Sequence, residues 1–264
     1  MSTPHVKPTS RWVVKVGSQL VISGGPILMR SWMHQLVRLQ RLHQIEVIWV
    51  TSGAIATATE RMAHEPGVQR TLAEKQALSA IGQPSLMDLY NLSLQSVGLR
   101  GAQILVTYGD IEDGTRSVNL KATLEKLLEW QVVPILNEND AVATEEIKFG
   151  DNDSLSAKIA IAMKADRLVI LTNVEGLHDK NPETHPDAKL IRSIASVTPE
   201  LLKQLKPEDR SISGTGGMYS KLMAAKDATE NGIETLLLKG DIANILVTAA
   251  ENVPVGTRIG VIKP

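Results

Sequence analysis

Cysteine is absent from this 264-residue chain. Disulfides and thiolate metal sites are thereby excluded, and a reducing cytosol is the expected compartment. Aromatic residues are scarce, at 3% with a single phenylalanine. Leu, Ile, Val and Ala must therefore fill the core, and stacking platforms for nucleic acid are not expected. An excess of one charge sign is missing too: 28 Lys and Arg face 29 Asp and Glu, for a net charge of -1. That argues against nucleic acid as a partner, since its binders usually carry a basic surface. No block of like charge suggests a solvated interaction tail. No apolar run approaches the roughly 18 residues of a membrane helix. The stretch Met1–Ser10 is polar, holds two prolines and lacks the apolar centre of a signal peptide. The expectation is a cytoplasmic protein with no membrane partner. It should have a disordered tail over 1–10 and a single domain over 11–264.

Hydrophobic residues make up 43% of the chain, enough for a sizeable core. Short β-branched runs alternate with longer helical patterns. Trp12–Val16, Glu46–Thr51, Ala102–Thr107, Val132–Leu136, Arg167–Thr172 and Glu234–Leu238 read as strands. Several are apolar almost throughout, as in parallel strands covered on both faces. Ser31–His43, Ala54–Met62, Ala73–Val97, Ser117–Trp130, Ser154–Lys164 and Met218–Asn231 read as helices. The alternation predicts an α/β fold, a three-layer α/β/α sandwich on a mainly parallel sheet. Asn173–Lys189, rich in Asn, Asp, Pro and His, reads as a surface excursion, and Pro199–Gly217 as an irregular flap.

Chemistry concentrates where strands end. Lys15 interrupts an apolar strand just before Gly17-Ser18. A buried ammonium needs a partner, so it either reaches an anion at the strand end or sits on an edge strand. Thr51-Ser52-Gly53-Ala54 opens a helix whose free N–H groups suit a carboxylate or phosphate, or else Ser52 is an ordinary N-cap. Asn137-Glu138-Asn139-Asp140 and Gly150-Asp151-Asn152-Asp153 crowd acids and amides onto a strand-to-helix connection. Open α/β folds place ligands at such a connection. The cluster could bind a metal, hold a cationic substrate group or be a solvated loop. Its spacing does not fit a calcium loop. The six histidines show no metal-ligand spacing, so no dedicated metal residues are assigned. Gly214-Thr215-Gly216-Gly217-Met218-Tyr219-Ser220-Lys221 runs from glycines into a helix bearing a lysine in its first turn. Backbone amides plus a lysine suit a polyphosphate. Ser220, not glycine, precedes Lys221, so the segment is not a Walker loop.

Together these segments resemble the amino acid kinase family, in the branch that phosphorylates glutamate. The carrying residues are Val14-Lys15-Val16-Gly17-Ser18, Val50 through Ala56, Asn137 through Val142, Gly150-Asp151-Asn152-Asp153 with Leu155-Ser156-Ala157, and Gly214 through Lys221. They stand in family order and span nearly the whole chain. The resemblance implies ATP-dependent phosphorylation of the L-glutamate γ-carboxylate, with Mg²⁺ accompanying ATP, as the first step of proline biosynthesis. It implies that Lys15 and Lys221 stabilise the transferring phosphoryl and that Asp153 orients them. Ser52, Gly53, Asp140 and Asn152 would hold glutamate, with Asp140 on its ammonium. Lys15, Thr172, Asn173, Thr215, Gly216, Gly217, Met218, Tyr219, Ser220 and Lys221 would contact ATP. The N-terminal part would thus bind glutamate and the C-terminal part ATP.

The family also implies a homo-oligomer, proline as a feedback inhibitor and a glutamyl phosphate reductase as a possible partner. Two departures stand out. Thr172-Asn173 replaces the family's usual Thr-Asp, and the chain stops at Pro264, where many bacterial members continue into a PUA domain. The competing expectations are an acetylglutamate or aspartate kinase and a non-catalytic glutamate or proline sensor.

Overall fold

Strand β1 (Ser10–Val16) lies inside an eight-stranded sheet of order β3-β4-β2-β1-β5-β7-β8-β6. The other strands are β2 (Ile45–Val50), β3 (Arg100–Val106), β4 (Val132–Glu138), β5 (Arg167–Thr172), β6 (Ser193–Ile194), β7 (Glu234–Lys239) and β8 (Thr257–Ile259). The structure is a computed structural model, which describes residues 8–62, 70–112, 114–142, 152–182, 184–205 and 217–260. Strands β1 to β5 and β7 pair in parallel, while β8 turns antiparallel against β7 and carries β6 beside it.

Among the described residues the helices are α1 (Ser18–Leu42), α2 (Ala54–Arg61), α3 (Leu72–Gln95), α4 (Tyr108–Glu112), α5 (Gly114–Glu129), α6 (Asp153–Ala162), α7 (Pro199–Gln204), α8 (Met218–Glu230) and α9 (Ile245–Ala250). No helix among them is long and apolar enough to cross a membrane. The expected three-layer α/β/α sandwich is the observed fold. All six expected strands and all six expected helices are present, with ends shifted by a few residues. The exception is α1, which begins at Ser18 rather than Ser31. A break at Gly25 (φ 51°), followed by Pro26, divides it and hides its first half from a periodicity reading. Thr9 N–H donates to the Gln44 carbonyl at 2.9 Å, which extends the pairing of β1 with β2 by one residue.

The period of two along each strand sorts side chains into two cores. Trp12, Val14, Val16, Val47, Trp49, Val133, Ile135, Val169 and Leu171 face the layer of α1, α3 and α9. Val13, Ile48, Val50, Leu136, Leu168 and Ile170 face α5, α6 and α8. Fully burying each such aliphatic side chain contributes about 1.5–3 kcal/mol. The same parity aims the polar residues at the strand ends. Lys15 shares a face with Val13 and points toward α6 and α8. Thr51 and Asn137 share a face with Trp49 and Ile135 and point toward α3.

Between β1 and β5 the chain order switches sides, with β2 and β4 on one flank and β7 on the other. A crevice outside the carboxyl ends of the strands at such a switch point is where open α/β sheets bind ligands. Helices that connect parallel strands run back against them. The N-termini of α1, α2, α6 and α8 therefore gather at this edge.

Candidate active site

Asp153 is the first residue of α6 and is fully buried. Its Oδ1 lies 2.5 Å from Lys15 Nζ, and its Oδ2 lies 3.1 Å from Lys221 Nζ. The two lysines come from β1 and α8, far apart in sequence, and both are buried. Lys15 is therefore no edge-strand lysine. Its strand is central, and a carboxylate at a helix N-terminus receives its charge. One carboxylate thus stands between two ammonium groups. Ser220 Oγ lies 3.0 Å from Asp153 Oδ2 and 2.9 Å from the Gly217 carbonyl, so its hydroxyl helps seat Asp153.

Asn152 precedes Asp153 and caps α6 without a side-chain capping bond, because its amide works elsewhere. Its Nδ2 donates to the Thr51 carbonyl at 2.6 Å and to Asn137 Oδ1 at 2.6 Å. Asn137 Nδ2 in turn donates to Gln83 Oε1 of α3 at 2.7 Å. One turn earlier on α3, the Ser79 hydroxyl donates to Asp140 Oδ2 at 2.5 Å. Burial pushes the Asp140 carboxyl above its ordinary value, and the Ser79 bond opposes that rise. A polar path thus runs from Asp140 through α3, Asn137 and Asn152 to the lysine pair.

The Ser52-Gly53 turn has its own support. Trp49 Nε1 donates to the Tyr90 phenol at 3.0 Å, which lies 2.8 Å from Thr51 Oγ1. Thr51 Oγ1 then donates to the Ser52 carbonyl at 3.2 Å. Burial pushes the Tyr90 phenol up to about 12, so it keeps the proton that this chain needs. Ser52 is not the N-cap of α2. That position belongs to Gly53, in a left-handed conformation (φ 103°) without a side-chain capping bond. The caps of α1 and α8, Gly17 and Gly217, also lack one. In contrast, α3 begins with a full capping box between Thr71 and Glu74. The N-cap residues of α1, α2 and α8 thus offer no side-chain acceptor, and the partial positive charge of each helix start lies at the strand ends.

On the other flank of β1, Thr172 is buried at the end of β5, and its hydroxyl donates to Asn173 Oδ1 at 3.2 Å. Met218, Tyr219 and Gly217 are half-buried beside Lys221. Thr215 and Gly216, like Asp151, lie outside the described residues. Among the described residues no three of His, Cys, Asp and Glu cluster as metal ligands. The structure therefore brings Lys15, Lys221, Asp153 and Asn152 together and ties Asn152 to the Ser52 turn. It also adds Ser79, Gln83, Asn137 and Tyr90, which sequence reasoning did not assign. Asn137 stood inside a recognised motif. The three α3 residues carry no motif, only a helical spacing that reads as ordinary core.

Comparison with known proteins places the chain in a family. The family model described as amino acid kinase family matches residues 10–239. The chain is 42% identical over 252 residues to a glutamate 5-kinase from Pasteurella multocida, covering 94% of this chain and 68% of that one. It is 46% identical over 242 residues to a glutamate 5-kinase from Dictyoglomus thermophilum, covering 89% and 63%. The chain thus spans about two thirds of the length of these curated relatives. In fold it is similar to a UMP kinase from Bacillus anthracis, with a TM-score of 0.66, 15% identity and 96% of each chain covered. It is also similar to an N-acetylglutamate synthase from Neisseria gonorrhoeae, with a TM-score of 0.69, 14% identity, and 98% and 61% covered. The chain belongs to the amino acid kinase family, and the two curated relatives named above are glutamate 5-kinases.

Proposed function

We propose that this chain is an ATP-dependent glutamate 5-kinase. It would transfer the γ-phosphoryl group of ATP to the side-chain carboxylate of L-glutamate, giving L-glutamyl 5-phosphate for proline biosynthesis. The observation that carries the reading is the arrangement around Asp153. Two buried lysines from distant elements meet on one carboxylate, and the amide network of Asn152 and Asn137 leads from it to Asp140.

The chemistry fits such a site. A glutamate side chain has an ordinary pKa near 4.3 and is already an anion at neutral pH, so no general base is needed. A γ-carboxylate oxygen forms the new O–P bond while the bond from phosphorus to the β,γ-bridging oxygen breaks. ADP leaves with that electron pair. The obstacle is repulsion. Two like charges about 4 Å apart repel by roughly 4 kcal/mol at an effective dielectric near 20. Lys15 and Lys221, held by Asp153, supply fixed positive charge where the transferring phosphoryl develops negative charge. The uncapped starts of α1, α2 and α8 add oriented N–H groups. Mg²⁺ belongs to the nucleotide substrate and would neutralise phosphate oxygens there.

Asp140 takes the substrate ammonium, and Ser52 with Gly53 receives the γ-carboxylate. Thr172, Asn173 and Gly217 through Lys221 line the nucleotide side. The acidic and amide-rich character of the Asn137–Asp140 end favours an acceptor with a free ammonium. An N-acylated acceptor would leave Asp140 unpaired.

An acceptor panel tests the reading. ADP release would be followed with L-glutamate, N-acetylglutamate and L-aspartate. Release with glutamate alone is expected. Turnover only with another acceptor would overturn the reading, and binding of glutamate without turnover would point to a sensor.

A further inference from the structure

Gln83 carries a buried amide nitrogen that the described protein atoms leave unused. The residue is 6% exposed, and its Nε2 meets no acceptor. The orientation of this amide follows from its neighbours. A backbone carbonyl only accepts, so Thr51 fixes the nitrogen of the Asn152 amide toward itself, at 2.6 Å. The same nitrogen donates to Asn137 Oδ1, which also accepts from the Glu138 N–H at 3.0 Å. Asn137 must then present its own nitrogen to Gln83 Oε1, at 2.7 Å. Gln83 therefore turns its Nε2 away from Asn137, with its protons unspent. A buried donor in that state is destabilising until something accepts from it.

The position of Gln83 limits what that acceptor is. It stands one helical turn after Ser79, whose hydroxyl holds Asp140. An amino acid with its ammonium on Asp140 and its side-chain carboxylate toward the lysines has one group left. That group is the α-carboxylate, bonded to the same carbon as the ammonium. It is an anionic acceptor matched to an amide N–H. We infer that Gln83 is a specificity-determining residue whose Nε2 donates to the α-carboxylate of the amino-acid substrate. With Ser79 and Asp140, it makes α3 the element that reads the amino-acid head group. This inference rests on the glutamate reading above.

The test compares kcat/KM for L-glutamate with that for isoglutamine, which has an α-carboxamide in place of the α-carboxylate. The ratio does not depend on how much enzyme is folded. Gln83→Glu keeps an oxygen for Asn137 Nδ2 but opposes an anion where the donor stood. It should lower the glutamate-to-isoglutamine ratio by about tenfold or more. Gln83→Leu, which lacks both groups, should lower the same ratio by a smaller factor. If the unchanged chain phosphorylates glutamate and neither variant moves the ratio, Gln83 does not touch the α-carboxylate and the inference is overturned. If the unchanged chain gives no glutamate turnover, the glutamate reading itself falls.

Discussion

At the scale of single residues, Asp140 and Lys221 should separate binding from chemistry. On the proposed reading, Lys221→Ala removes one of two fixed cations from the phosphoryl path. It should lower kcat by about 10²–10³-fold with little change in the glutamate KM, as steady-state kinetics would show. Asp140 belongs to the other end of the site. Burial raises its carboxyl pKa. As pH falls through that raised value, the residue becomes neutral and would lose the hold on the substrate ammonium proposed for it. The glutamate KM of the unchanged protein should therefore climb on the acid side. Asp140→Asn should show a high KM at every pH, without that limb.

Stability follows the opposite sign. Between the ordinary and the raised pKa, the native state keeps a proton that the unfolded chain has lost. Asp140 therefore costs stability as pH rises through this window, and the cost is complete above it. Asp140→Asn can still accept from Ser79. It should raise the Tm of the ligand-free protein at neutral pH while impairing binding. An unchanged Tm would place the desolvation cost elsewhere.

At the scale of elements, the site depends on how closely α3 lies against α2. A Cβ on Gly82 would stand 1.8 Å from the Ala54 carbonyl oxygen, which is backbone and cannot swing aside. Gly82 lies between Ser79 and Gln83, so this contact sets the distance from α3 to the Gly53 turn. Gly82→Ala should cost about 1–3 kcal/mol in urea denaturation through overpacking. It should also raise the glutamate KM, because Ser79 and Gln83 move with the helix.

The long, strongly patterned elements were legible from sequence because each has a single period and a buried face. The short ones were not. Strands β6 and β8 hold two and three residues, too few to show any period, and they exist because β7 offers an edge. The contributions of α3 were hidden for a related reason. Ser79, Gln83 and Tyr90 fall on a buried stripe, and only the tertiary fold turns that stripe toward the strand ends. Lys15 was legible because charge inside an apolar pattern needs a partner, Lys221 because it follows a glycine-rich helix start, and Asp153 because it closes the acid- and amide-rich cluster that carries the family resemblance.

At the scale of the whole molecule, the site joins parts that no single segment contains. Lys15 enters from the first strand, Asp153 from the middle of the chain and Lys221 from near its end. Asp153 thereby ties α6 to β1 and to α8. Asp153→Ala leaves two buried ammonium groups without their carboxylate and should cost about 3–5 kcal/mol, read as a lower urea midpoint. Both flanks of β1 belong to one eight-stranded sheet, so unfolding should be a single transition.

In the proposed reaction a side-chain carboxylate oxygen attacks phosphorus. Glutamate labelled with ¹⁸O in its γ-carboxylate tests it directly. The enzyme would turn over labelled glutamate and ATP with hydroxylamine present, and the released phosphate would be weighed by mass spectrometry. Hydroxylamine attacks the acyl carbon, so phosphate departs with the bridging oxygen. Each phosphate should carry one ¹⁸O, with a matching yield of γ-glutamyl hydroxamate. Unlabelled phosphate would mean that water, not glutamate, attacks ATP, and would contradict the proposed reaction.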